Sequence, residues 1–242
     1  MSVAKDLEAW QTQNSEEIEV PPSDLYSEEP PLESYLHLKQ ILLLLSGLEW
    51  FWRDRDDFFA AGNLTIYYSP RQIKTQDFRG PDFFVVLGTE RKPRKSWVVW
   101  AEEGKYPNII IELLSDSTAK TDRGEKKLIY QNTFRTPDYF WFDPHTLEFK
   151  GFHLLDGEYQ ELQPNEKGLL WSQQLQLCLG VEREQLRFFT PEGELILTPE
   201  ETAKANQEQL EMERQQLEIE RQKNEKLAAK LRELNIDPQT LL

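Results

Sequence analysis

The sequence predicts a mixed α/β domain. Three observations predict it: a strongly apolar helical segment over residues 32–48, a succession of short β-prone runs between residues 64 and 162, and a second helical segment, 122–131, set among those runs. Helix, strands, helix, strands is the order of a mixed sheet with helices packed against it. A tail of different composition follows.

Residues 1–31 are acidic, interrupted by Pro21, Pro22, Pro30 and Pro31, and lack apolar periodicity. They read as an acidic arm, flexible or loosely docked. From Leu32 the pattern changes, and Leu36, Leu38, Ile41, Leu42, Leu44, Leu45 and Leu48 mark an apolar helix predicted to end near Gly47. Residues 64–68, 83–87, 97–100 and 109–114 then read as strands, each bounded by Gly, Pro or charge clusters. The last of these, Ile109-Ile110-Ile111-Glu112-Leu113-Leu114, is apolar on both faces, as in a strand covered on both sides. Its single carboxylate is out of place there. A polar turn over 115–121 leads to the helix 122–131, with Leu128, Ile129 and Tyr130 turned partly inward. Strands follow over 139–142, 148–154 and 159–162, the last two joined by the hairpin-like Leu155-Asp156-Gly157. The expected domain spans 32–199.

Residues 200–242 form a C-terminal coiled-coil-like helix. Ala203, Leu210, Leu217, Asn224 and Leu231 fall at one heptad position, and Asn206, Glu213, Glu220, Leu227 and Leu234 at the other. Half of that seam is good. A helix of about 32 residues, ~48 Å long, with Asn224 setting register would make a parallel homodimer; Glu213 and Glu220 in the seam favour a solvated single helix instead.

Apolar residues make up 38% of the 242, and seven Trp are among them, enough for a sizeable core. No run approaches the roughly 18 apolar residues of a membrane helix. The acidic N-terminus does not read as a secretory signal. The lone Cys178 sits in an apolar run and reads as a core thiol, and the expected compartment is cytoplasmic. The net charge of −15 argues against a general nucleic-acid coating protein, although residues 1–33 carry −8 of it. Local basic surfaces are therefore compatible with it. Seven bases lie between Arg71 and Lys95 (Arg71, Lys74, Arg79, Arg91, Lys92, Arg94, Lys95), a candidate phosphate-contacting loop or a solvated charged one.

Chemistry is carried by the acids. Asp82 follows Pro81 at the start of one apolar strand, and Glu112 lies inside another. Two carboxylates from adjacent strands suit a hard divalent cation of the kind that assists phosphodiester hydrolysis. A carboxylate inside an Ile/Leu strand needs a cation or strong donors beside it. Asp122, Lys126 and Tyr130, at i, i+4 and i+8, place such groups on one face of the next helix. A buried Glu–Lys ion pair of purely structural role fits the same residues.

The segments Gly80-Pro81-Asp82, 110–118, 122–130 and 137–144, in that order, resemble the Uma-two family of restriction-endonuclease-like proteins. The resemblance covers most of residues 35–190. It implies a restriction-endonuclease-like mixed sheet flanked by helices, as in the PD-(D/E)xK superfamily, with Mg²⁺ (Mn²⁺ substituting) held by Asp82, Glu112 and the backbone carbonyl of Leu113. The superfamily lysine two residues after the glutamate is replaced here by Leu114, which makes Lys126, or Lys127, its candidate replacement. Asp116 stands where the family often has proline. His37 stands where the family frequently carries histidine, facing either the site or the core; Glu33 and Glu49 are weaker helix acids. His145 and His153 read as structural.

Two functions follow. The first is a Mg²⁺-dependent endonuclease acting on DNA through Asp82, Glu112 and Lys126. The alternative is a catalytically inactive nuclease-fold binding or scaffold protein working through its helical tail. A phosphodiesterase for small nucleotides is a variant of the first, favoured if the basic loop lies far from the site. No Gly-rich phosphate cradle or Cys/His zinc cluster points to another cofactor.

Overall fold

A computed structural model gives the fold and describes residues 22–29, 32, 34–69, 78–115 and 121–233. Helix α1 (Tyr35–Phe51) opens at Ser34, whose hydroxyl accepts the His37 N–H. It does not stop near Gly47. The buried row Ile41, Leu44 and Leu48 continues to Trp52, whose N–H closes on the Leu48 carbonyl, and this packing outweighs the ~1 kcal/mol that an interior glycine costs.

Strands β1 (Phe58–Gly62), β2 (Ile66–Tyr67), β3 (Phe78–Arg79), β4 (Phe83–Leu87), β5 (Trp97–Val98) and β6 (Ile109–Leu113) precede the second helix. After it come β7 (Asp138–Phe142), β8 (Phe149–Leu155), β9 (Glu158–Glu161), β10 (Leu170–Ser172), β11 (Leu177–Glu182) and β12 (Gln185–Phe189). The main sheet runs β1-β4-β6-β7-β8-β9, antiparallel except for the parallel pair β6–β7. Two three-stranded sheets, β3-β2-β5 and β10-β11-β12, flank it.

Both faces of the main sheet are covered, as the doubly apolar β6 requires. On one face Ile109, Ile111 and Leu113 pack with Ile41, Leu44 and Leu48 of α1 and with Leu177, Leu179, Leu186 and Phe188 of the β10–β12 layer. On the other, Ile110 and Leu114 pack with Tyr130, Phe134, Ile66 and Trp97. Glu112 alternates with Leu113, so it shares the second face.

Helix α2 covers that face. It consists of wide π-type turns over Asp122–Lys126 and Tyr130–Phe134 around one α turn, Lys127–Ile129. In a pure α-helix every fourth residue drifts by about 40° around the axis. The wider turns cancel that drift: Asp122, Tyr130 and Phe134 are buried, and Lys126, between them in the same row, turns to the same carboxylates. Arg135, at φ 51°, ends the helix.

The described part of the acidic arm is docked. Residues 22–29 bond to the domain: Ser27 N–H to the Lys95 carbonyl (3.1 Å), Glu28 N–H to Thr65 Oγ1 (2.9 Å), Tyr67 O–H to the Tyr26 carbonyl (2.9 Å), Ser96 O–H to the Leu25 carbonyl (2.6 Å). The Glu29 carboxylate accepts from Thr65 and packs on the backbone of Gly80.

The tail is one helix, α3 (Pro199–Glu233). Arg187 of β12 clamps its base through Glu201 (2.6 and 2.9 Å), and Trp50 Nε1 donates to Thr202 (3.2 Å). Residues 203–227 then stand exposed, with Leu210, Leu217 and Leu227 unburied. Among the described residues no helix is long and apolar enough to cross a membrane.

Candidate active site

Asp82 sits where the chain enters β4, fixed by the Asn63 N–H on its carbonyl (3.0 Å). Because β4 and β6 are antiparallel, with Phe83 opposite Ile111, the start of β4 lies beside the end of β6. Asp82 Oδ2 there accepts the Leu113 N–H at 2.8 Å, and the Asp82 N–H points to Glu112 Oε2 at a long 3.4 Å. A side-chain hydrogen bond between the two carboxyls works downward on the Asp82 pKa and upward on that of Glu112.

Glu112 is fully buried. Tyr130 donates its O–H to Oε1 (2.7 Å), and Lys126 Nζ lies 3.2 Å from Oε2 and 2.8 Å from Asp122 Oδ1. The straight row on α2 thus delivers an acid, a base and a phenol to the strand end. Tyr139 O–H, donating to the Asp122 carbonyl at 2.9 Å, ties the start of α2 to β7.

Among the described residues, the carboxyls of Asp82, Glu112 and Asp122 lie around the ammonium of Lys126. Burial pushes the Glu112 carboxyl up to about 7; Lys126 pulls it back, and the Asp82 charge pushes it further. Burial likewise raises Asp82, partly offset by Lys126 and the Leu113 N–H. For Lys126 burial works downward, but Glu112, Asp122 and Asp82 together outweigh it and hold the amine protonated. A pair of neighbouring carboxyls whose ionisation burial opposes is the electrostatic setting that a divalent cation relieves.

The donor chemistry fits such a cation. Carboxylate oxygens of Asp82 and Glu112 are hard ligands, and the Leu113 carbonyl leaves β6 on the same edge as its N–H, toward Asp82. That carbonyl already accepts a hydrogen bond from His37 Nε2 at 3.1 Å. Among the described residues no group of three or more His, Cys, Asp or Glu side chains is arranged to hold a metal, so a cation here would take two side chains, one carbonyl and outside oxygens.

Other sequence candidates lie elsewhere. Lys127 places its ammonium 3.4 Å from the centroid of the Phe152 ring, away from the carboxylates. Glu49 is exposed, 3.8 Å from Arg91. Glu33, the turn with Asp116, Arg71 and Lys74 lie outside the described residues. His153 Nδ1 bonds Asp138 Oδ1 (2.7 Å) at the opposite end of β7 from the Glu112 neighbour Trp141. His145 N–H bonds Asp143, and Cys178 is buried.

The Arg91–Lys95 part of the basic stretch is not beside the site. Arg91, Lys92, Arg94 and Lys95 follow the far end of β4, about 17 Å of strand from Asp82. Arg94 is spent structurally, on Glu102 (2.6 Å) and against the stacked rings of Phe59 and Trp97. Of the described bases in that stretch, Arg79 is the one near the site, 3.1 Å from Glu125 on α2.

The family model of Uma2, described as "Putative restriction endonuclease", matches residues 4–188. The chain belongs to the Uma2 family. The Uma2 match takes in the docked arm and nearly all of the β10–β12 layer and leaves out α3. A solved structure described as a "putative nuclease belonging to DUF820", from Anabaena variabilis, is similar at 15% identity and TM-score 0.42, over 57% of this Uma2 chain and 76% of that one. No curated protein matches.

Proposed function

We propose that this Uma2 protein is a metal-dependent endonuclease hydrolysing phosphodiester bonds of DNA. One observation carries the reading: Asp82 and Glu112, from adjacent strands, meet at the end of β6 beside Lys126, where burial opposes the ionisation of both. Asp82, Glu112 and the Leu113 carbonyl would hold Mg²⁺, with Mn²⁺ substituting. The cation, when bound, supplies Lewis acidity toward the phosphate and lowers the pKa of water.

The chain's own groups supply the rest. Lys126, kept protonated by its acids, donates hydrogen bonds where charge develops on the phosphate, the task of the lysine that Leu114 replaces. Asp122 holds Lys126 in place, and Tyr130 fixes the rotamer of Glu112. Arg79, at the mouth, offers a further phosphate contact.

The exposed leucines of α3 support a homodimer through the tail, in which Asn224 sets the register. The distance of Arg91–Lys95 from the site favours a second substrate reading, a small nucleotide diester. The lone buried Cys178 supports a reducing, cytoplasmic compartment.

The test is cleavage of single- and double-stranded DNA, RNA and small diesters, with Mg²⁺, Mn²⁺ or chelator, by wild type, Asp82→Ala and Lys126→Ala of matched thermal stability. Metal-dependent DNA cleavage lost in both variants supports the proposal. Loss with Asp82→Ala alone removes Lys126 from it, and cleavage of small diesters only replaces the substrate. Wild type inert on every substrate would favour the scaffold reading.

A further inference from the structure

The end of β6 lacks a strand partner on the Asp82 side, since β4 pairs with β6 only through Ile111. Side chains stand in for it. The Leu113 N–H goes to Asp82 Oδ2 (2.8 Å), and the Leu113 carbonyl accepts from His37 Nε2 (3.1 Å). Both polar groups of this residue are thus held by side chains, one from the sheet and one from α1.

His37 is itself held on every side. It is 3% exposed, one turn into α1, with Nδ1 2.8 Å from Ser34 Oγ. A backbone carbonyl only accepts, so Nε2 carries the ring proton; Nδ1 then accepts from the Ser34 hydroxyl, whose oxygen accepts the His37 N–H (3.2 Å). Every donor in this chain has an acceptor. The cap that starts α1 therefore also fixes the tautomer and tilt of the ring.

We propose that His37 is a positioning residue that locks the Leu113 carbonyl in the orientation required of a metal ligand. The inference rests on the metal reading above. A carbonyl oxygen has two lone pairs; His37 takes one and aims the other at the space between Asp82 and Glu112. On the β7 side this peptide group is held by the Leu114 N–H on the Phe142 carbonyl (2.7 Å), so the ring is its restraint on the Asp82 side, and without the ring the third ligand is less preorganised. Partners of this kind, one step out from the ligands, typically affect affinity strongly. The site is then assembled from both layers on the sheet: α2 brings Lys126 and Tyr130 from one face, α1 brings His37 from the other.

The experiment is Mn²⁺ titration of the full chain, with free Mn²⁺ read by electron paramagnetic resonance, for wild type, His37→Gln, His37→Leu and Ser34→Ala. Melting in chelator checks the fold of each. Wild type binds; His37→Leu is expected to bind roughly tenfold or more weakly, while His37→Gln, whose amide N–H reaches the same carbonyl, stays near wild type and Ser34→Ala falls between. Cleavage by His37→Leu should recover at saturating Mn²⁺. Wild-type affinity in folded His37→Leu overturns the inference, as does an equal loss in His37→Gln. Should His37→Leu fail to fold, wild-type affinity in Ser34→Ala together with weak binding by His37→Gln overturns it. Wild type that takes up no Mn²⁺ overturns the metal reading itself, and this inference with it.

Discussion

Tyr130 donates its hydroxyl to Glu112 Oε1 across 2.7 Å, with both side chains sealed from solvent. This bond pulls the Glu112 carboxyl toward ionisation against the pull of burial. Tyr130→Phe leaves the oxygen short of a donor at a cost of about 1–3 kcal/mol. Melting in chelator at pH 8 should fall by about 2–4 °C per kcal/mol. The pH of half-maximal Mn²⁺ uptake should move up, because the variant carboxyl ionises later. An unchanged uptake midpoint would sink the assignment of Tyr130 to Glu112.

The metal-free protein should lose stability as pH rises toward neutrality. The folded Glu112 carboxyl titrates near 7 against 4.5 unfolded, and Asp82 is shifted in the same direction. A raised carboxyl pKa means that the folded state holds the proton more tightly. Its stabilisation is complete below pH 4.5 and is lost as pH climbs to about 7, a loss on the order of 3 kcal/mol for Glu112. Lys126, shifted further upward, stays protonated throughout this window and adds no slope. Urea unfolding in chelator at half-unit steps from pH 5 to 8 checks this; Glu112→Gln should flatten much of the profile, and saturating Mg²⁺ should reverse it.

Arg187 is 6% exposed and gives its guanidinium to Glu201 and to the Ile196 carbonyl (3.0 Å). Arg187→Ala strands these acceptors and should cost about 3 kcal/mol. Mn²⁺ affinity should not change, since the contacts of Arg187 are made to the base of α3 and to the Ile196 carbonyl, not to Asp82, Glu112 or Lys126. Chemical denaturation and Mn²⁺ titration of the same sample test both halves.

Leu210→Lys with Leu217→Lys should leave the melting of the domain unchanged, because both residues are solvent-exposed. The pair should abolish self-association seen by sedimentation velocity. Identical sedimentation of wild type and variant as monomers would remove the tail from any dimer.

Much of the site was legible in the sequence because burial and charge conflict there. A glutamate inside Ile109–Leu113 and an acid, a base and a phenol spaced by four are patterns that a linear reading detects. The β10–β12 layer was not, for a reason of turn chemistry. The β11–β12 hairpin turns at Arg183 and Glu184, both at positive φ (51° and 62°), where Asn-Gly is the usual signal. Nor could sequence show that His37 reaches a backbone carbonyl 76 residues away, since a carbonyl leaves no mark in residue type. For Arg91–Lys95 the sequence left a phosphate-contacting loop and a solvated one open, because proximity along the chain is not proximity in a sheet: the five residues of β4 carry the chain from one end to the other.

The docked arm redefines where an expression fragment of this protein should begin. A fragment started at Leu32, at the change in composition, would remove Ser27, Glu28 and Glu29 from around Thr65 and the Leu25 carbonyl from Ser96. Both hydroxyl residues are buried, at 0% and 6% exposure. Such a fragment would show two newly wetted polar sites beside the β3-β2-β5 edge and would invite strand pairing between molecules there. The smallest well-behaved fragment therefore starts upstream of Asp24.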